Sequence, residues 1–175
     1  DEPGVRSGVG CDRSRSGLGD VDRKIANALE YVVTADYFRT LGLPMLRGRE
    51  FTTAEESGEG GTQPVVIDKA LADKLFANDD PVGQLLQFGA DSGTADSQPM
   101  LIVGVVPTLR HDLFETKPEP HLYRPSGTAA STRMFLFARA ASQRTGDSVV
   151  TAVRDELRAL DPNLPVMFVK SFRAQ

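Results

Sequence analysis

The stretch 31–51, YVVTADYFRTLGLPMLRGREF, constrains what this chain can fold into more than any other segment. It opens on Tyr31, Val32 and Val33, an aromatic and β-branched run suited to a buried strand. Thr34 follows with a hydroxyl able to accept an N–H from a first helical turn. The spacing then predicts a short helix over 35–41 that buries Tyr37, Phe38 and Leu41. Gly42 stands where a left-handed C-terminal cap needs a residue without Cβ, and Pro44 forbids further helix. Leu43, Met45 and Leu46 carry the chain into a second apolar segment, closed by a turn at Gly48 and an aromatic anchor at Phe51. Tyr37, Phe38, Gly42, Gly48 and Phe51 are therefore read as the structural residues of a strand–helix–turn corner. No side chain in it has the chemistry of a nucleophile, a metal cluster or a phosphate cradle.

Beyond the corner, the pattern alternates strand and helix. PVVI at 64–67 reads as a strand, and Asp68 as the N-cap of a helix over 69–77 with an apolar stripe of Leu71, Leu75 and Phe76. In DDPVG, residues 79–83, Asp80, Pro81 and Gly83 occupy positions that turn geometry favours. Residues 84–88 return as a strand, and the small polar residues of 89–99 read as a loop. MLIVGVV, residues 100–106, is the most apolar run and the best candidate for a central strand. Residues 121–123 read as a short strand and 133–139, RMFLFAR, as another. After a loop at 142–147, Asp147 is placed to cap a helix over 148–160, with Val149, Val153, Leu157 and Leu160 on one stripe and Val150 beside it. Asp161-Pro162 ends that helix, and 164–169 is again a strand. Such a strand–helix–strand unit is right-handed if its strands run parallel in one sheet. The first thirty residues carry less signal. Residues 2–5 read as a helix end and its turn, 9–12 as a short strand, 13–20 as loop, and 22–29 as a polar lead-in or short helix.

The candidate chemical sites do not assemble into one. Glu55, Glu56 and Glu59 lie in the Gly-rich segment 52–63, but a calcium loop needs oxygen ligands at alternate positions around a shaped turn, so these read as a solvated loop. Arg110, His111, Asp112, Glu115 and His121 invite a metal or acid–base reading. The two histidines stand ten apart across a Pro-rich loop, without the helical spacing of a metal pair, and the group reads as surface polar residues. Ser126-Gly127 lacks the Gly-x-Ser-x-Gly elbow. The lone Cys11 permits no internal disulfide and has no evident His partner. No Gly-x-x-x-x-Gly-Lys-[Ser/Thr] loop is present. The expectation is a protein that is not an enzyme and uses no cofactor or metal. A net charge of −4 gives no basic face for nucleic acid. No apolar run approaches the roughly 18–20 residues that cross a bilayer. With 175 residues, 40% hydrophobic and 25% charged, one globular domain or two small ones are expected. The start at Asp1, without a leader or initiating Met, reads as a piece of a longer chain.

Within the corner, VTADYFRTLGLPMLRGREF resembles the segment that marks the MacB-like periplasmic core domain, the extracytoplasmic part of FtsX/MacB-type ABC transporter permeases. Four further stretches match in order: PVVIDKALADKLFANDDPVGQLLQF (64–88), LIVGVVPTLRHDLFETKPEPHLYRP (101–125), MFLFARA (134–140) and VVTAVRDELRALDPNLPVMFVKSF (149–172). The resemblance thus spans roughly residues 30–172. It implies an α+β fold in which a porter-like βαβ subdomain is built from both chain ends, 1–40 and 131–175, with its N-terminal part truncated. A second, Sabre-like α/β subdomain would be inserted at 41–130. It also implies a position between the first and second transmembrane helices, on the periplasmic or extracellular face of the cytoplasmic membrane. The function so implied is transmission of ATP-driven conformational change to a periplasmic adaptor or substrate. The partners would be the transmembrane helices and ATPase of the full permease and a periplasmic adaptor, while the isolated piece is expected to be a monomer. The alternatives are an extracytoplasmic ligand-binding or sensory module using the groove between subdomains, and a small hydrolase. Two histidines and no plausible triad order disfavour the hydrolase.

Overall fold

The run MLIVGVV forms β6 (Met100–Val106), a buried strand with neighbours on both sides. The computed structural model describes residues 5–13, 22–57, 63–77, 79–88, 99–109, 119–128, 135–139 and 146–164. They fall into two compact units, one within residues 1–133 and one within 134–175. In the first unit, β1 (Val5–Arg13), β2 (Asp22–Val33), β3 (Arg47–Gly48), β4 (Gln63–Asp68), β5 (Leu85–Phe88), β6 and β7 (His121–Pro125) form one mixed sheet in the order β3-β6-β4-β7-β2-β1-β5. β5 also pairs with β6, so the strand order returns on itself and the ends of the sheet meet. Closing the order in this way leaves little unpaired edge.

Both faces of β4 and β6 are covered, which is why their sequences run apolar without alternation. On one face Val65, Ile67, Met100, Ile102 and Val105 pack with Leu71, Leu75 and Phe76 of α3 (Lys69–Phe76). On the other, Val66, Val103 and Val106 pack with Phe38, Phe51 and Tyr123. A bulge decides which residues of β6 face which side. Val65 pairs with Ile102 but Val66 with Gly104, so Val103 is an extra residue in β6. One extra residue reverses which side the rest of the strand faces.

Strand β2 departs from the expected polar lead-in or short helix over 22–29, since the whole of Asp22–Val33 is strand. A nine-residue antiparallel pairing with β1 overrides its weak local preference. Ala26 and Ala28 are small enough to lie in the same cluster as the α3 leucines. Val5, expected in a turn after a helix, opens β1, whereas residues 1–4 lie outside the described set. Helix α3 is as expected: the Asp68 carboxylate accepts the Leu71 N–H at 2.8 Å, and Leu71, Leu75 and Phe76 are buried. The loop expected at 52–63 contains a helical turn, α2 (Thr53–Glu56), and its last residue Gln63 begins β4.

In the second unit the described elements are residues 135–139 and α4 (Gly146–Leu160). Residues 135–139 are not the expected strand and have no regular structure. α4 begins at Gly146, so Asp147 lies inside its first turn rather than at its cap. Val149, Val150, Val153 and Leu157 are half-buried, but Leu160 is 83% exposed and does not belong to a buried stripe. Leu164 is not in a strand, and the rest of the strand expected at 164–169 lies outside the described residues, as do 89–98.

Candidate functional site

The corner 31–51 runs from the end of β2 through β3. α1 (Tyr37–Leu41) is little more than one turn, and it starts two residues later than the sequence implies. Thr34 contributes its backbone carbonyl to the Tyr37 N–H at 3.1 Å rather than a side-chain cap, and the carboxylate of Asp36 pairs with Arg39. At the other end Gly42 adopts φ 72°. Its N–H bonds the Arg39 carbonyl and that of Leu43 bonds the Phe38 carbonyl, which satisfies the last turn. Phe38 is fully buried and Phe51 5% exposed, whereas Tyr37 and Leu41 are half-buried rather than buried. Phe38 meets Tyr123 of β7 and Tyr37 edge-on, at ring-centroid distances of 5.1 and 5.4 Å. Such edge-to-face pairs suit the ring quadrupoles.

Gly48 is fixed by a close approach. It has φ 70°, and a Cβ there would stand 2.2 Å from the Val103 carbonyl oxygen. Directly across the ladder is Gly104, where a Cβ would stand 2.4 Å from the Arg49 carbonyl oxygen. Two backbones touch at this point, next to the β6 bulge. Gly48 is legible in the sequence as a turn residue, whereas Gly104 is not, since an apolar run gives no hint of where a strand bulges.

The second group of expected structural residues lies elsewhere in the unit. Asp80 and Gly83 are exposed in the turn after α3, and Pro81 is buried. Arg47 of β3 reaches Asp80 at 3.3 Å, the link between this turn and the corner. Beside that ion pair is an open cleft of about 380 Å³, lined by Leu46, Arg47, Lys69, Asp73, Pro81 and Val105 among others. Lys69 is already engaged by Asp73 at 2.7 Å. The cleft therefore presents internally paired charge, not an excess of either sign.

His121 was expected among surface polar residues, and the structure corrects this. It is 1% exposed, with Nδ1 3.0 Å from Oδ2 of the fully buried Asp68. Because Asp68 also caps α3, one carboxylate joins that helix to the start of β7. Burial of two polar groups is tolerable when each meets the other. Arg110, His111, Asp112 and Glu115 lie outside the described residues, and among those described no group of acidic, His or Cys side chains is placed to hold a metal. The side chains of Cys11 and Glu59 also lie outside the description, although Cys11 pairs with Lys24 in the β1–β2 ladder. Ser126 begins a 3₁₀ turn, Ser126–Thr128.

Glu55 and Glu56 are not solvated loop residues. Glu55 chelates Arg49 with both oxygens, at 2.7 and 2.8 Å, and accepts the Thr52 N–H at 2.8 Å. The Arg49 guanidinium is the main reason the Glu55 carboxyl is held at about 2, far below its ordinary 4.5. Glu56 accepts the Ala35 N–H at 3.2 Å and the Ser126 hydroxyl at 3.1 Å. Thr52-x-x-Glu55 is a capping box, a signature legible in the sequence that the acidic composition of the segment obscured.

Comparison with known proteins places this arrangement. The family described as MacB-like periplasmic core domain matches residues 5–158. The macrolide export ATP-binding/permease protein MacB of Neisseria gonorrhoeae is 36% identical over 76 residues, 43% of this chain and 10% of that protein. The protein of the same name from Neisseria meningitidis serogroup A matches with the same identity and coverage. This chain thus spans about a tenth of the length of those relatives. The crystal structure of the periplasmic region of MacB from Actinobacillus actinomycetemcomitans superposes with a TM-score of 0.56 at 21% identity, covering 90% of this chain and 65% of that one. A permease-protein domain from Porphyromonas gingivalis gives a TM-score of 0.50 at 14% identity, covering 90% and 71%. At those identities the likeness establishes the mixed α/β fold. No helix among the described residues is long and apolar enough to cross a membrane. The chain belongs to the MacB-like periplasmic core domain family, the extracytoplasmic part of MacB-type ABC transporter permeases.

Proposed function

We propose that this domain relays motion. ATP hydrolysis on the cytoplasmic side drives the transmembrane helices of the full permease, and the domain passes their movement to a periplasmic adaptor or to a substrate outside the membrane. The observation that carries the reading is the family match across residues 5–158. The described residues supply scaffolding chemistry: apolar clusters, paired charges and a buried Asp68–His121 contact. The division into porter-like ends, 1–40 and 131–175, and a Sabre-like insert, 41–130, is part of this proposal. The break between units after residue 133 supports its second boundary. The sheet that β1 and β2 share with β4, β6 and β7 lends no support to the first.

The test uses the full-length permease with its ATPase in lipid. Spin labels at the exposed positions Lys74 and Arg154, with Cys11 replaced by Ser, report one distance between units. The expected result is a distance distribution that changes between the nucleotide-free and ATP-bound states. An unchanged distribution in an ATPase-active preparation would reject the relay. The 175-residue chain alone is expected to sediment as a monomer at micromolar concentration, since the partners proposed for assembly lie outside it. A concentration-independent dimer would assign assembly to this domain instead.

A further inference from the structure

The segment around α2 has an unusual construction. α2 is four residues long and contributes no buried residue. So short a helix does not persist on local hydrogen bonds alone. It is held instead by polar contacts at three separate places. Glu55 grips Arg49 at the end of the corner. Glu56 takes the Ala35 N–H at the start of the corner, 21 residues away, and with its other oxygen the Ser126 hydroxyl, 70 residues away. The last two contacts meet at one spot in the fold. β2 and β7 run parallel, and Val33 opposite Pro125 is their final pair. Ala35 and Ser126 are where the chain leaves those strands, so the Glu56 carboxylate bridges two strand ends that the ladder no longer joins.

We infer that α2 is a conformational clip: Glu55 and Glu56 close the 31–51 corner and fasten it to the exit of β7, beyond which the chain runs on to the second unit. A segment held by partly exposed hydrogen bonds and no apolar burial opens at lower free energy than the core beneath it. The clip can therefore open and free the chain at Ala35 and Ser126 while both apolar clusters of the sheet stay folded. Its use deepens the relay proposed above and rests on that reading, because a relay needs an element that yields before the core does. The ion pair Arg124–Glu30, at 3.0 Å, joins β7 to β2 within their ladder and stays with the sheet.

Hydrogen exchange followed by mass spectrometry on the 175-residue chain tests this. Glu56→Ala is expected to speed exchange about tenfold in peptides covering 34–57 and 121–128, the loss of two charge-assisted ties that are partly exposed. Peptides covering 63–76 and 100–106 are expected to keep the wild-type rate. Ser126→Ala, which removes only one contact, should produce a smaller change in the same peptides. Lys69→Ala, on the surface of α3, should leave the 34–57 peptides unaltered. Equal acceleration in every peptide, or none in 34–57 for both Glu56→Ala and Ser126→Ala, would overturn the clip. The measurement uses neither nucleotide nor membrane, so it succeeds or fails independently of the nucleotide-dependent distance change. If the clip holds and that distance does not change, only its role in the relay is lost.

Discussion

The two faces of the sheet are built on different principles. The α3 face is mainly aliphatic and local: a helix follows directly on a strand, is capped by the strand's last residue, and drops Leu71, Leu75 and Phe76 onto it. The corner face is aromatic and non-local. Phe38 meets both Phe51 and Tyr123, the latter far away in sequence, and the segment that carries Phe38 and Phe51 is held by Gly48 against Gly104 and by the carboxylates of α2. Burial alone does not separate the faces, since Phe38 and Leu75 are equally inaccessible. The difference lies in what positions the buried group. A periodic helix secures one side, and backbone contacts and polar ties secure the other.

The largest expected effects ask whether the corner is as much a core as the helix face. Phe38→Ala should cost about 3–5 kcal/mol and Leu75→Ala about 2–5 kcal/mol in chemical denaturation. A Phe38→Ala loss below about 1 kcal/mol would make the aromatic side a surface patch and break the equivalence. Next is the backbone contact peculiar to the corner. Gly48→Ala combines positive φ with a carbonyl at 2.2 Å and should cost about 2–3 kcal/mol. If Gly48→Ala is neutral, β3 is not seated on β6 as described. Gly42→Ala tests the cap at the end of α1, where only φ is at issue, and should cost about 1 kcal/mol.

The smallest effect sharpens the contrast through pH. The folded-state carboxyl of Glu55 lies at about 2, below its ordinary 4.5. Its contribution is therefore complete above about pH 4.5 and is lost as pH falls toward 2. Arg49 is half-exposed, so solvent screening leaves this worth about 1 kcal/mol. Glu55→Gln should flatten the fall in stability between about pH 4.5 and 2 by that amount relative to wild type. A Glu55→Gln profile that parallels wild type across the window would show that the pair with Arg49 does not form in solution.

Local chemistry made much of the α3 face readable: Asp68 as cap, the stripe of Leu71, Leu75 and Phe76, and the apolar runs of β4 and β6. In the corner, Gly42 and Phe38 were readable for the same reason, because a left-handed cap and a buried aromatic leave marks within a few residues. Glu55, Glu56, Gly104 and His121 were not. An acidic residue in a Gly-rich stretch has the same composition whether it faces water or an amide 21 residues away. A histidine in a Pro-rich region gives no sign of the aspartate beside it.

Through the resemblance of its ordered segments the sequence pointed to the family and its fold, and the residues by themselves determined a capped helix on one strand and a Gly- and Pro-punctuated corner after another. Those features depend on propensity, capping and spacing, which act over a turn or two. Tertiary structure alone decided that 22–33 is one long strand, that Val103 bulges, and that α2 ties Ala35 to Ser126. Each of these is settled by a partner distant in sequence. The free energy of a ladder, a close backbone approach or a bridging carboxylate exists only once the chain has brought both sides together.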